Sequence, residues 1–244
     1  MPLKVIFILL LLFFPMSRVS VETMAGSPFT PLTPASDLAA GEQLFEEMNL
    51  GGVVNFIAFR QAVAGYNRIK DKSKHILTLI DFSKASTEKR LFVFDMDKKV
   101  LLFSSVVAHG RNSGANYATS FSNVNGSYKS SLGFYLTENT YQGGNGYSLI
   151  LNGLEKGIND NAKARAIVVH GAAYANPAIT ASAGRLGRSL GCPALPVAMA
   201  KPIINAIKGG SVMYIYANNA NYLAQSDILK PGQGKSITDV SITQ

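Results

Sequence analysis

The hydrophobic period of this chain changes at His75, and that change limits what the chain can fold into. Before it, Val53 to Lys70 carries apolar residues at Phe56, Ile57, Phe59, Ala62, Val63 and Tyr66, the spacing of one helical face. After it, Ile76 to Asp81, Arg90 to Asp95 and Val100 to Val107 are short runs rich in β-branched and aromatic residues, separated by charged turns. Runs this short read as strands. Asp95-Met96-Asp97-Lys98-Lys99 joins two of them as a hairpin, its aspartates serving the turn rather than a metal. Further strands are expected at Gly133 to Leu136, Tyr147 to Leu151, Ala166 to Val169 and Val212 to Tyr216, with a helix over Val197 to Ile207 that ends at Gly209-Gly210. The expected fold class is α+β, mostly β.

Upstream, Ser36 is expected to cap a helix over Asp37 to Met48, ended by Gly51-Gly52. With the Val53–Lys70 helix it would form a small N-terminal helical cap. Ser27 to Pro34 is a proline-rich linker that holds neither helix nor sheet ladder. Met1-Pro2-Leu3-Lys4, an apolar run from Val5 to Phe14 and then Pro15 read as a secretory signal peptide. The run is too short for a stable membrane span. Thr23 and Ala25 fit a cleavage site, with one nearer Ser20 as the alternative. The expected organisation is a signal peptide over 1–25, linker and helices over 26–70, a catalytic domain over 71–231 and a flexible tail over 232–244.

About 220 residues would remain after export, enough for one large domain. Apolar residues make up 47% and charged residues 16%, which supports a packed globule. The net charge of +8 would suit nucleic acid, but there is no dense basic run, and export argues against that partner. A basic face suits a polyanionic surface such as a cell wall with free carboxylates, and a generic solubilising charge fits equally well. An exported chain meets an oxidising compartment, yet Cys192 is the only cysteine and has no internal partner. A lone exported thiol points to reactivity or intermolecular pairing.

The chemistry-bearing residues lie late in the chain. His170-Gly171 follows the apolar run Ala166 to Val169, and Cys192 stands twenty-two residues on, inside Gly187-Arg188-Ser189-Leu190-Gly191-Cys192-Pro193-Ala194. A thiol becomes a nucleophile when an imidazole takes its proton. No acidic residue is placed to orient that imidazole, so a backbone carbonyl near Gly171 is the expected partner. Gly191 and Cys192 would offer backbone N–H groups to a developing oxyanion, each worth on the order of 3 kcal/mol. Pro193 has no N–H to add. Arg185 and Arg188 flank this loop and could clamp a carboxylate. The stretch His109 to Ser131, dense in Gly, Ser and Asn, is long for an unstructured loop and is a functional candidate.

These residues resemble a known family. Ser189-Leu190-Gly191-Cys192-Pro193-Ala194 with His170-Gly171 upstream looks like the signature of the L,D-transpeptidases, the YkuD-like murein enzymes, in the branch with a Ser-x-Gly-Cys-Pro-Ala motif. The likeness runs from about Ile76 to Tyr216 and takes in Asp81-Phe82-Ser83, Ala108 to Gly114, Ser130-Ser131-Leu132-Gly133 and Gly146-Tyr147-Ser148-Leu149. It implies a β-sandwich-like catalytic domain with Cys192 as nucleophile, His170 as base, and Ser189, Gly191 and Gly171 lining the site. Arg188, Arg185, His109 and Ser131 are further candidates for substrate contact. The resemblance implies peptidoglycan stem peptides as substrate, 3→3 cross-links as product, inhibition by carbapenems, no metal and no cofactor. A monomer in the periplasm or cell envelope of a bacterium is expected.

Two positions depart from the better-known branch: Leu190 replaces a second histidine, and Ala194 replaces an arginine. Arg188 or His109 is expected to supply what they contribute. Water could also resolve the acyl-enzyme, giving an L,D-carboxypeptidase. The remaining alternatives are a non-catalytic wall-binding protein and a zinc hydrolase using His109, His170 and Cys192.

Overall fold

The computed structural model describes residues 35–230. The expected signal peptide, the Ser27–Pro34 linker and the 232–244 tail lie outside the described residues. Two helices come first, α1 (Ala35–Glu47) and α2 (Phe56–Arg68). Ser36 lies inside α1 rather than at its cap. α2 starts three residues later than expected because Asn55 caps it, its Oδ1 accepting from the amides of Ile57 at 3.0 Å and Ala58 at 3.3 Å. The buried face of α2 includes Phe59, Ala62, Val63 and Tyr66 as expected, but Ile57 points outward and Gln61 inward. Gln61 is tolerated there because its Oε1 accepts the hydroxyl of buried Tyr214 at 2.7 Å.

The strands are β1 (Ile76–Asp81), β2 (Leu91–Asp95), β3 (Val100–Ser105), β4 (Gly133–Gly143), β5 (Gly146–Gly153), β6 (Val168–Gly171), β7 (Ala194–Leu195) and β8 (Val212–Tyr216). Between them come a single helical turn α3 (Thr180–Ala183), then α4 (Val197–Ile207), with α5 (Ala220–Gln225) last. All eight strands form one mixed sheet in the order β3-β2-β1-β8-β4-β5-β6-β7. Only β1 with β8 and β6 with β7 run parallel. The two ends of the sheet approach each other past β3. There Ala108 pairs with Ala194, their amides and carbonyls exchanging bonds of 2.8 and 3.2 Å. The sheet is therefore almost a closed barrel, α+β and mostly β with a few helices.

The β2–β3 turn behaves as its aspartates predict: Asp95 Oδ1 accepts from the amides of Asp97 at 3.2 Å and Lys98 at 3.0 Å. One apolar cluster joins the helices to the sheet, with Phe45 packed edge-on to Phe59 and Phe59 edge-on to Phe94. The N-terminal helices thus share the core of the sheet. Gly65 marks their closest approach, since a Cβ there would lie 2.0 Å from the ring of Phe134. That ring in turn stacks on Tyr214 at 4.2 Å. Each fully buried aromatic of this kind contributes roughly 2 kcal/mol of burial free energy.

Candidate active site

β6 lies between two neighbours. On one side it pairs antiparallel with β5, and on the other it pairs parallel with β7, His170 opposite Ala194 and Gly171 opposite Leu195. This register brings the stretch just before β7 alongside β6, and Cys192 is two residues before Ala194. The sulfur takes up the ladder where β7 stops. The Val168 amide donates to Cys192 Sγ at 3.5 Å, and the thiol lies 3.6 Å from the Ala166 carbonyl as its donor. Val168 and His170, two apart in the strand, share a face. Sheet register thus sets the loop carrying the cysteine beside the strand carrying the histidine, though the two are remote in sequence. Ala166 itself adopts a left-handed φ of 53°, a strained conformation for a residue with a side chain. Its carbonyl faces the sulfur.

The loop carrying the cysteine is closed by its own serine. Ser189 Oγ donates to the Cys192 carbonyl at 2.6 Å and accepts the Gly191 amide at 3.0 Å. The Gly191 amide is therefore engaged with Ser189. Gly191 has φ 131°, and a Cβ on it would meet Ile167 at 2.9 Å, the Lys129 carbonyl at 3.0 Å and Arg165 Nη2 at 3.4 Å. Only glycine fits there. Gly171 is similarly tight, a Cβ there lying 3.0 Å from Ala200 Cβ.

Cys192 and His170 are both buried, at 9% and 4% exposure. Burial pushes the thiol pKa up, partly offset by the Val168 amide and the nearby charge of Arg165. Burial pushes the imidazole pKa down, and a hydrogen bond to Gly171 O works against that. Both groups therefore rest neutral near pH 7. A carbonyl oxygen only accepts, so His170 Nδ1 carries the proton donated to Gly171 O at 3.0 Å, and Nε2 keeps its lone pair.

The other expected site residues are held by partners of their own. His109 is fully buried, and both ring nitrogens are occupied. Its Nδ1 accepts Arg90 Nη2 at 2.8 Å and its Nε2–H donates to Gly114 O at 3.3 Å. Burial and the charge of Arg90 hold its pKa down to about 4. Arg90, also fully buried, donates to Val107 O and Lys84 O and lies over the Phe82 ring. Arg188 Nη1 donates to Arg111 O at 3.2 Å and Gly114 O at 3.0 Å, tying the thiol loop to the loop after His109. Arg185 donates to Leu186 O at 2.8 Å. Ser131 is buried, donating to Ser122 O at 2.8 Å and accepting Arg165 Nη1 at 2.6 Å.

Among the described residues no group of three His, Cys, Asp or Glu side chains could hold a metal, so His109, His170 and Cys192 are not gathered as zinc ligands. No helix among them is long and apolar enough to cross a membrane. An open, mainly apolar groove of about 860 Å³ begins at Ala172, two residues past His170, and runs between Ser105, Val106, Asn176 and Val197.

The L,D-transpeptidase catalytic domain family YkuD_2 matches residues 51–216, which span the strained Ala166, the His170 strand and the Cys192 loop. The chain belongs to this family. Among curated proteins, none matches the chain. Solved structures similar to it include an L,D-transpeptidase from Mycobacterium smegmatis, 13% identical, covering 59% of this chain and 59% of that one with a TM-score of 0.37. Another, from Stackebrandtia nassauensis, is 15% identical and covers 75% and 79% with a TM-score of 0.35. A third is LdtMt1 in complex with imipenem, 13% identical, covering 58% and 59% with a TM-score of 0.36. The chain spans about three fifths of the length of the first and third of these.

Sequence reading missed Arg165, which stands one residue before the apolar run leading to His170 and looks there like a solvated charge. It also missed Glu155, a buried carboxylate that accepts the Phe134 amide and the hydroxyls of Tyr222 and Ser226. Neither sits in a local pattern that marks it. The family's two departures have plain local consequences: Leu190 is exposed at 58%, and Ala194 is fully buried opposite His170.

Proposed function

We propose that the protein is a peptidoglycan L,D-transpeptidase that works through a Cys192 acyl-enzyme. The observation that carries this reading is the pairing of β6 with β7, which sets Cys192 beside the strand of a His170 whose Nε2 is free to take a proton. His170 Nε2 removes the thiol proton, and the sulfur attacks the carbonyl between the diamino acid and the terminal D-alanine of a stem tetrapeptide. A C–S bond forms, the C–N bond breaks, and the imidazolium returns its proton to the departing D-alanine amine. The amine of a neighbouring stem then attacks the thioester. A new C–N bond forms, the C–S bond breaks, and the product is a 3→3 cross-link.

The Cys192 amide is the oxyanion donor in this reading, since the Gly191 amide is engaged by Ser189. Gly191, Ser189 and Gly171 shape the loop and strand around the sulfur. Arg188 and Arg185 offer their remaining donors to substrate carboxylates, while His109 and Ser131 act within the scaffold. The family match over most of the chain supports the reaction class. Residues 71–231 hold the chemistry, residues 1–25 direct export to the cell envelope, and the enzyme works there as a monomer without a cofactor. Carbapenems inhibit it by presenting a strained amide to the same sulfur.

Incubating isolated sacculi with the purified protein and resolving the digested muropeptides by mass spectrometry tests this. New 3→3 dimers are expected. Conversion of tetrapeptides to tripeptides without dimers would make water the acceptor and the protein an L,D-carboxypeptidase. Unchanged muropeptides would remove the enzymatic reading and leave a wall-binding protein.

A further inference from the structure

Position 194 cannot supply a cation, because its alanine is fully buried opposite His170. Arg188 points its Nη1 to Arg111 O and Gly114 O, and His109 is locked by Arg90. The cation that backs the cysteine turn is Arg165. It directly precedes Ala166, whose carbonyl receives the thiol, and its Nη2 lies 3.4 Å from where a Cβ of Gly191 would be.

Resting on the reading of Cys192 as the acylated nucleophile, we propose that Arg165 is a positioning residue. It pins the loop over residues 122–131 against the Gly191-Cys192 turn and keeps a fixed positive charge beside the sulfur.

The hydrogen bonds separate this role from that of a substrate clamp. Nη1 donates to Ser122 O at 2.7 Å and Ser131 Oγ at 2.6 Å, and Nη2 donates to Ser127 Oγ at 3.3 Å and Lys129 O at 2.6 Å. All four terminal N–H bonds are thereby spent on one loop, so no fork remains for a substrate carboxylate. The loop it holds reaches the cysteine turn directly, since Ser130 Oγ donates to Gly191 O at 3.0 Å. Lysine could match the charge but not this four-way geometry. Arginine keeps its charge at every working pH, so it favours the thiolate throughout the reaction. The structure carries the same sign: Arg165 pulls down a thiol that burial has pushed up.

The test uses the full chain and iodoacetamide, with Cys192 alkylation followed against pH by intact-mass spectrometry. For Arg165→Gln the alkylation midpoint is expected to rise by roughly one pH unit, with the rate at pH 7 falling about tenfold. Arg165→Lys restores the charge and is expected to keep the midpoint within about 0.3 unit of wild type. Ser131→Ala removes one acceptor but no charge and leaves the midpoint unmoved. An unshifted midpoint in folded Arg165→Gln overturns the proposal, as does an Arg165→Lys midpoint raised as far as the glutamine variant's. If Arg165→Gln does not fold, Arg165→Lys decides alone, a rise of about one unit overturning it. Alkylation needs no peptide, so a shifted midpoint without cross-linked sacculi would sink the transpeptidase reading and keep Arg165. Cross-linking with an unshifted midpoint would do the reverse.

Discussion

His109 and His170 look alike in the chain and differ completely in the fold. Each follows a short apolar run, each precedes a glycine, and each is buried, at 0% and 4% exposure. Their partners separate them. His109 faces a buried guanidinium on one nitrogen and a carbonyl on the other, so it has nothing left to exchange. His170 spends only Nδ1, on Gly171 O, and sits on the strand against which the cysteine loop lies. Burial lowers the pKa of both, so burial alone does not distinguish the two. The count of occupied ring nitrogens does.

That contrast is open to breakage, beginning with its largest effect. Cys192→Ala should abolish covalent capture of a carbapenem, read as the missing adduct in intact-mass spectra; an adduct on the variant would move the nucleophile elsewhere. His170→Ala should stay folded, with an unchanged circular-dichroism spectrum, and acylate at least about 100-fold more slowly. Normal acylation by the folded variant would strip His170 of its role as base.

The third prediction concerns the brace. His109→Ala should acylate within about threefold of wild type per folded molecule but lose about 2–4 kcal/mol of stability in urea denaturation. It opens a cavity and removes the acceptor for a buried Arg90 donor. A variant of full stability and no activity would reverse the two histidines.

The smallest effect is a pH dependence. His109 has a folded pKa of about 4 against an ordinary 6.5, so the unfolded chain binds its proton first as pH falls. The stability this group contributes is complete above pH 6.5 and is lost between 6.5 and about 4, by at most about 3 kcal/mol. Glu155, pushed up to about 7 by burial, works in the opposite direction over the same range. The informative comparison is therefore wild type against His109→Gln. The variant should lose less stability on acidification than wild type, and parallel curves would contradict the buried neutral state of His109.

Legibility followed the range of the interactions. The Ile76–Asp81 and Val212–Tyr216 strands and the Val197–Ile207 helix match their expected bounds, because period and end signals are local. Asn55 caps α2 from inside the expected helix, and Ser36 falls inside α1 rather than at its cap, because apolar spacing marks a helical face more sharply than it marks the first residue. β7 has two residues, too few to show a period, yet it sets the register on which the site depends. Arg165 and Glu155 were illegible for the same reason: a charge reads as solvated until distant carbonyls and amides are brought around it.

By itself the sequence determined the strand-rich class and the small set of side chains able to do acyl chemistry. It did so because each of these rests on residues within a few positions of one another. Tertiary structure alone decided which histidine keeps a ring nitrogen open, which arginine backs the Gly191 turn, and that the Gly191 amide is spent within the loop. Those outcomes depend on pairing between segments tens of residues apart, where desolvation and competition for hydrogen bonds are settled only once the sheet has closed.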